Sequence, residues 1–296
     1  MIEGIFVEGM IYAIMALGVF FTFRILDFPD LTVDGSFPLG AVIMAGGLHQ
    51  EVNPFLCLAL AFCGGLLAGC TTAAIHNKLK VPHLLAGILT MTMLYSVNIR
   101  ILSNKANLPL LRVETLLTWV NEVSKGIIAP EYAVLIFFIL VVLALKMLLD
   151  LFFLTDMGLV FGALGNNEQM VRVQGINPAT LKVIGVGLSN GLVALSGAFA
   201  AQYQGFADVN LGQGIVVSGL ASVMLGEFLL KSNRISILTL RVILGAILFK
   251  AIMYLGRYYG YYINMTPNDL KLITGLLIIL SLGIANFKKI RATEST

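Results

Sequence analysis

Apolar runs long enough to cross a lipid bilayer constrain this chain more than any other feature. They fall at residues 5–23, 36–48, 54–75, 84–103, 131–154, 181–203, 214–230, 235–256 and 270–287. Most approach or exceed the roughly 20 residues that an α-helix, rising about 1.5 Å per residue, needs to span a hydrocarbon core about 30 Å thick. Within that core every backbone amide and carbonyl must be paired inside its own helix or in a closed barrel, and barrel-type alternating segments are absent. The fold class is therefore all-α, a polytopic helical membrane bundle of about nine spans. Composition agrees, because 58% of the 296 residues are hydrophobic and only 12% are charged. With a mean hydropathy of +0.92, the chain has too little polar surface to clothe a water-soluble globule. The first run carries Glu3 and Glu8 instead of a basic leader, and no small-residue cleavage site follows it, so it is expected to be a retained span.

The placement of cations sets the sidedness. Lys78 and Lys80 lie in the link 76–83, Arg172 and Lys182 in and beside the segment 155–180, Lys231 and Arg234 in the link 231–234, and Lys288, Lys289 and Arg291 in the tail. Basic links mark the cytoplasmic side. Residues 104–130 and 257–269 then lie outside, the C-terminus inside and, for an odd count of spans, the N-terminus outside. In the outer stretch NKANLPLLRVETLLTWVNEVSKGI, Leu116, Leu117, Trp119 and Val120 stand between Thr115 and Ser124. This pattern suits a short helix along the membrane surface, with Trp119 at headgroup level. Tyr254, Tyr258, Tyr259, Tyr261 and Tyr262 suit an outer aromatic belt. Cys57, Cys63 and Cys70 share one apolar run without CxxC spacing and read as small buried hydrophobes. Gly65 with Gly69, and Gly187 with Gly191, form small-residue faces for close helix contact, within the chain or between subunits.

Two runs are short. Residues 36–48 cover roughly 20 Å and 214–230 roughly 25 Å. Each follows a polar lead-in, DLTVDGSFPLGAV at 30–42 and DVNLGQGIVVSGL at 208–220. In this topology one lead-in comes from the cytoplasm and the other from outside. That is the pattern of an inverted repeat with two discontinuous helices whose free backbone groups line a midplane path. The halves are about 1–154 and 181–287, joined by 155–180 in a single transmembrane domain, 1–296. The candidate pathway residues are Asp30, Asp34, Gly35 and Ser36 from one lead-in, and Asp208, Asn210, Gly212 and Gly214 from the other. The same Asp, Asn and Ser residues equally suit helix capping, and the two roles are compatible.

Charges inside the spans each call for a reason. Arg24, Asp27, Asp30 and Asp34 cluster at the first lead-in and can pair with one another. Glu227 and Lys250 lie within spans, and Arg100 and Arg241 lie near span ends, where snorkelling suffices. This is a thin set of carboxylates for a proton- or sodium-driven carrier. No GxxxxGK[ST] loop, HExxH or GxSxG motif occurs, and His49, His76 and His83 lack ligand spacing. No catalytic residue, metal, cofactor or nucleic-acid partner is expected.

The polar segment GALGNNEQMVRVQGINPATLK, residues 162–182, interrupts this apolar pattern. Asn166 or Asn167 can cap a short helix through Glu168 to Gln174, Gly175 can end it in the left-handed conformation, and Asn177 with Pro178 can start the next helix. Met170, Val171 and Val173 give the short helix an apolar side. Such a helix suits a groove in another protein; an ordinary connecting loop is the plainer alternative.

Thr155, Gly158, Ala163, Leu164, Gly165, Asn167, Gly175 and Ile176 resemble the coupling-loop signature of the permease subunits of bacterial ABC importers, in the family that serves branched-chain amino acids and ribose. The segments RILDFPDLTVDGSFPLGAV (24–42) and SNGLVALSGAFAAQYQGFADVNLGQG (189–214) are similar to further parts of that family, closest to its tryptophan and tyrosine subgroup. The resemblance runs from about residue 5 to 285. It implies cytoplasmic ABC ATPase subunits that use the ATP, an extracytoplasmic substrate-binding protein, and a second permease copy, all working in the bacterial inner membrane. By matching position, Gly165, Asn167, Glu168, Arg172 and Gly175 would belong to the helix that docks on the ATPase. Where the family pattern often has arginine, this chain has Leu159 and Gly162, which removes two cations from that interface. A stand-alone secondary transporter or facilitator is the alternative, and a receptor or scaffold is disfavoured by the paired lead-ins.

Overall fold

The computed structural model describes residues 2–111, 113–126, 129–230 and 234–260, together with Leu272, Gly275, Leu276 and Ile279. Helix α1 (Ile2–Phe20) runs into a π-helical turn, Phe21–Ile25, and α2 (Val33–His49) follows a non-helical stretch. Helices α3 (Pro54–Leu79) and α4 (His83–Ile101) lead to strand β1 (Asn107–Pro109) and the short α5 (Leu116–Val123). Helix α6 (Pro130–Leu154) precedes α7 (Asp156–Asn166) and α8 (Glu168–Val173). Then come α9 (Pro178–Gln204), strand β2 (Phe206–Asp208), a 3-10 turn Val209–Gly212, α10 (Ile215–Leu229) and α11 (Ile235–Gly260).

Among the described residues, seven helical stretches are long and apolar enough to cross a membrane, against the nine expected. The run at 36–48 is part of α2, whose 17 residues extend about 26 Å. Apart from Leu272, Gly275, Leu276 and Ile279, the run at 270–287 lies outside the described residues, as do Tyr261, Tyr262, Lys231 and the basic tail. The expected discontinuous helices are not confirmed: α2 and α10 are each unbroken, α2 following the non-helical stretch 26–32 and α10 following the 3-10 turn Val209–Gly212. Pro38 sits inside α2 without breaking it. Its missing amide leaves the Asp34 carbonyl without the usual helical partner, and that carbonyl faces Gly212, where a side chain would collide with it.

Helix α9 is the centre of the bundle, packed against α1, α2 and α3. The small-residue faces serve this packing within the chain. Gly65 and Gly69 of α3 lie on the backbone of Asn190 and Val186, while Gly187 and Gly191 lie against Cys70 and Phe62. Hydroxyls add directed bonds between the helices: Ser189 Oγ donates to the Gly18 carbonyl at 2.6 Å and Ser196 Oγ to that of Ile11 at 2.7 Å. Helix α6 turns Leu140, Met147 and Leu151 outward, as a lipid-facing helix does. The three cysteines are free.

Cations and the insert share one end of the bundle. Asn77 donates to the Ala179 carbonyl, Lys182 reaches Glu168, and Arg24 and Arg241 both reach Glu227. The other end holds the antiparallel pair β1–β2, with Asn107 opposite Asp208, and α5, whose Thr115 forms a capping box with Thr118. Leu116 and Leu117 are buried there, while Trp119 is exposed and edge-on to Phe55.

Candidate functional site

The two polar lead-ins meet inside the bundle. The Asp34 carboxyl, in the first turn of α2, accepts the backbone N–H of Gly214 at 3.1 Å and of Val216 at 2.8 Å. It thereby caps α10 across 180 residues of sequence and satisfies two of the amides that a helix start leaves open. Gly212 rests on the Asp34 backbone. Asp34, Gly35 and Asn210 border a cavity of about 210 Å³ between α2, α4 and the 3-10 turn. Four of the eight candidate pathway residues thus form one junction around Asp34, namely Asp34 itself, Gly35, Gly212 and Gly214, and Asn210 joins them at the cavity.

Three others go elsewhere. Asp30 is fully buried and accepts the Thr32 amide at 2.8 Å and Asn190 Nδ2 at 2.6 Å. Ser36 Oγ donates to the Oδ1 of the same Asn190 at 2.6 Å. Asp208 accepts the Asn210 amide at 2.7 Å, which caps the 3-10 turn. The expected pairing among Arg24, Asp27, Asp30 and Asp34 is corrected: Arg24 binds Glu227 at 2.9 Å, and Arg241 binds the same oxygen at 2.8 Å. A guanidinium reaches a carboxylate on another helix more readily than a carboxyl group already engaged by backbone amides. Lys250 pairs with Glu8 and lies over the Tyr12 ring.

Asn190 and Asn98 were missed as site residues. Both are amides inside long apolar runs, which was the available signal, since a buried amide needs several partners. Asn98 Nδ2 donates to the Gly35 carbonyl at 3.3 Å.

The insert is built largely as its capping residues predict. Thr155 caps α7 through the Gly158 amide, Asn167 caps α8 through Met170, and Asn177 caps α9 through Ala179. Gly175 ends the turn after α8 at φ +82°, a conformation that favours glycine. Gly165 packs directly on the Ile25 carbonyl, so α7 sits on the π-helical turn. The apolar side of α8 is split, because Val171 is buried while Met170 and Val173 are exposed. Leu159 is exposed as well, and the Cβ position of Gly162 faces open space.

Glu168 holds the insert to α9 by accepting from Lys182 at 2.8 Å, and within α8 it also accepts from Arg172 at 3.2 Å. The Lys182 hydrogen bond, opposed by some desolvation, keeps its carboxyl below the ordinary value of 4.5. A depressed folded pKa stabilises above the unfolded value, and the gain disappears as acid takes the pH through the folded value. Glu168 is largely solvated, so Glu168→Gln is expected to lower stability at neutral pH by about 1 kcal/mol or less. The gap from wild type should close below pH 4.5, as read by thermal unfolding of the purified chain across an acid series.

A buried helical core, lipid-facing apolar helices and a capped insert at the basic end define a multi-pass membrane protein. The family described as "Branched-chain amino acid transport system / permease component" matches residues 1–282. The chain belongs to this family and is a permease component of ABC-type transport in the bacterial inner membrane. It is 40% identical over 285 residues to a tyrosine transport system permease protein of Clostridioides difficile (strain R20291), covering 96% of this chain and 91% of the relative. An uncharacterized protein of Rickettsia prowazekii (strain Madrid E) is 30% identical over 276 residues, covering 93% and 94%. The ribose import permease protein of Escherichia coli (strain K12) is 28% identical over 222 residues, covering 74% and 66%. No solved structure matches the chain.

Proposed function

We propose that this chain is the membrane-spanning subunit of an importer for an amino acid, with tyrosine or a related aromatic as cargo. A binding protein on the outer side delivers the cargo, two cytoplasmic ATPase subunits supply the energy, and a second copy of the chain completes the pathway. The cargo class follows the name of the 40% identical relative. The observation that carries the reading is the seating of the insert on the bundle: α8 exposes Met170 and Val173, and Gly165 rests on Ile25. A push on α8 passes through α7 to the π-helical turn and along 26–32 to α2, whose Asp34 holds the start of α10. The Arg24–Glu227–Arg241 cluster ties the same turn to the far end of α10. Coupling is thus assigned to Gly165, Asn167, Glu168, Arg172 and Gly175. The path is assigned to the junction of Asp34, Gly35, Asn210, Gly212 and Gly214, with Asp30, Ser36 and Asp208 supporting it. Two inverted halves meeting at the starts of α2 and α10 would open alternately to each side.

The test is purification of the chain from its native membrane in mild detergent, with mass spectrometry of what accompanies it. An ATPase is expected to co-purify, and to be lost when residues 165–175 are replaced by a Gly/Ser linker while the bundle still elutes as a folded species. A chain that purifies alone from membranes containing an ATPase would overturn the reading in favour of a stand-alone facilitator.

A further inference from the structure

The cavity beside Asp34 is lined by a carboxyl group and by a residue with an unpaired buried amide oxygen. Asn98, on α4, is fully buried, and its Nδ2 is committed to the Gly35 carbonyl, while its Oδ1 has no hydrogen-bond partner among the described residues. Thr92 donates its hydroxyl proton to the Leu89 carbonyl at 2.8 Å and keeps its lone pairs. The Asp34 carboxyl adds two more acceptor oxygens. Among the described residues, no Lys, Arg or His lines the space. The helix-start amides that would greet an anion, at Gly214 and Val216, are already occupied by Asp34. On one side stand the side chains of Asn210 and Gln213, with Gln213 Nε2 donating to Asn210 Oδ1 at 3.4 Å, and Met91, Pro38 and Val209 form an apolar wall with Tyr95 beside it.

From this unpaired buried acceptor beside the Asp34 carboxyl group we infer that the cavity is a subsite for the ammonium group of the transported solute, with Asn98 Oδ1 and Asp34 as its acceptors and the apolar wall beside its side chain. A buried acceptor without a donor is costly, and an ammonium brings three donors. At about 210 Å³ the space suits a single small amphipathic molecule. The inference rests on the amino-acid permease reading and adds which end of the amino acid this chain recognises.

Equilibrium dialysis of radiolabelled tyramine against the full chain in lipid nanodiscs tests it, with empty nanodiscs as the blank. Tyramine keeps the ammonium and lacks the carboxylate, and no binding protein intervenes. Saturable binding is expected, displaced by unlabelled L-tyrosine and not by 3-(4-hydroxyphenyl)propionate, which lacks the amine. Asn98→Leu is expected to weaken binding about tenfold or more, whereas Asn98→Asp, which keeps the acceptor and loses the donor, retains it. Both variants are first checked for folding by thermal unfolding. Displacement by the deaminated acid, wild-type binding by Asn98→Leu, or no saturable binding would each overturn the inference. Equal loss in Asn98→Asp and Asn98→Leu would overturn it too, by showing that Asn98 serves only to hold the Gly35 carbonyl. ATPase co-purification is read independently, so failure of this subsite and failure of the importer reading are distinguishable.

Discussion

Gly40→Ala is expected to be among the most damaging single-methyl changes this chain can suffer. Gly40 of α2 lies against the Ala194 carbonyl of α9, and a Cβ there would fall inside contact distance of backbone that cannot swing aside. Gly197 of α9 makes the reciprocal approach to the Phe37 carbonyl, so the two helices touch backbone to backbone. Forcing them apart is expected to cost about 1–3 kcal/mol or more. It would also shift Asp34, and with it the cap on α10, so uptake should fall further than stability alone predicts. The check is thermal unfolding in detergent together with uptake by whole cells. Gly162→Ala is the matched control: its added methyl meets nothing within 4 Å, so it should be neutral or raise stability by up to about 1 kcal/mol through helix propensity alone. Equal behaviour of the two variants would refute the backbone-contact argument.

Asn190→Leu is expected to cost about 3–5 kcal/mol, because one amide serves two buried groups in opposite senses. Its Nδ2 donates to Asp30, and its Oδ1 accepts from Ser36. Leucine fills comparable space and satisfies neither. Asp30→Ala made on top of Asn190→Leu should add much less than it costs alone, with a coupling of about 0.5–3 kcal/mol in a double-mutant cycle. Strict additivity would mean that the two side chains do not act as a unit.

Much of the insert could be read from local chemistry. Asn167, Gly175, Asn177 and Pro178 act on backbone groups within a few residues of themselves, so sequence order and spatial order coincide there. The same holds for the Gly65 and Gly69 face, since residues four apart share one side of a helix. The start of α2 at Val33, earlier than the apolar run beginning at Ser36 suggests, reflects Asp34 and Gly35 being drawn into the helix by partners on α10 and α4. The destinations of Arg24, Asp30 and Asp34 were not legible for a related reason. Their partners, Glu227, Asn190 and the amides at Gly214 and Val216, lie more than 150 positions away, and composition alone cannot say which distant helix becomes a neighbour. Asn98 was visible only as an amide in an apolar run. Its unpaired Oδ1 acquires meaning once α4 is seen beside the 3-10 turn.

The Asp30–Asn190 bond also bears on how the chain is made. The two residues are separated by 160 positions, so at a synthesis rate of about 5–20 residues per second the carboxyl group emerges roughly 10–30 s before the amide that receives it. During that interval the helices that precede α9 carry an acid without its Asn190 partner. Until α9 arrives the Asp30 carboxyl group has the local Thr32 amide but not its Asn190 partner, so the centre of the bundle can close only after α9 has been made.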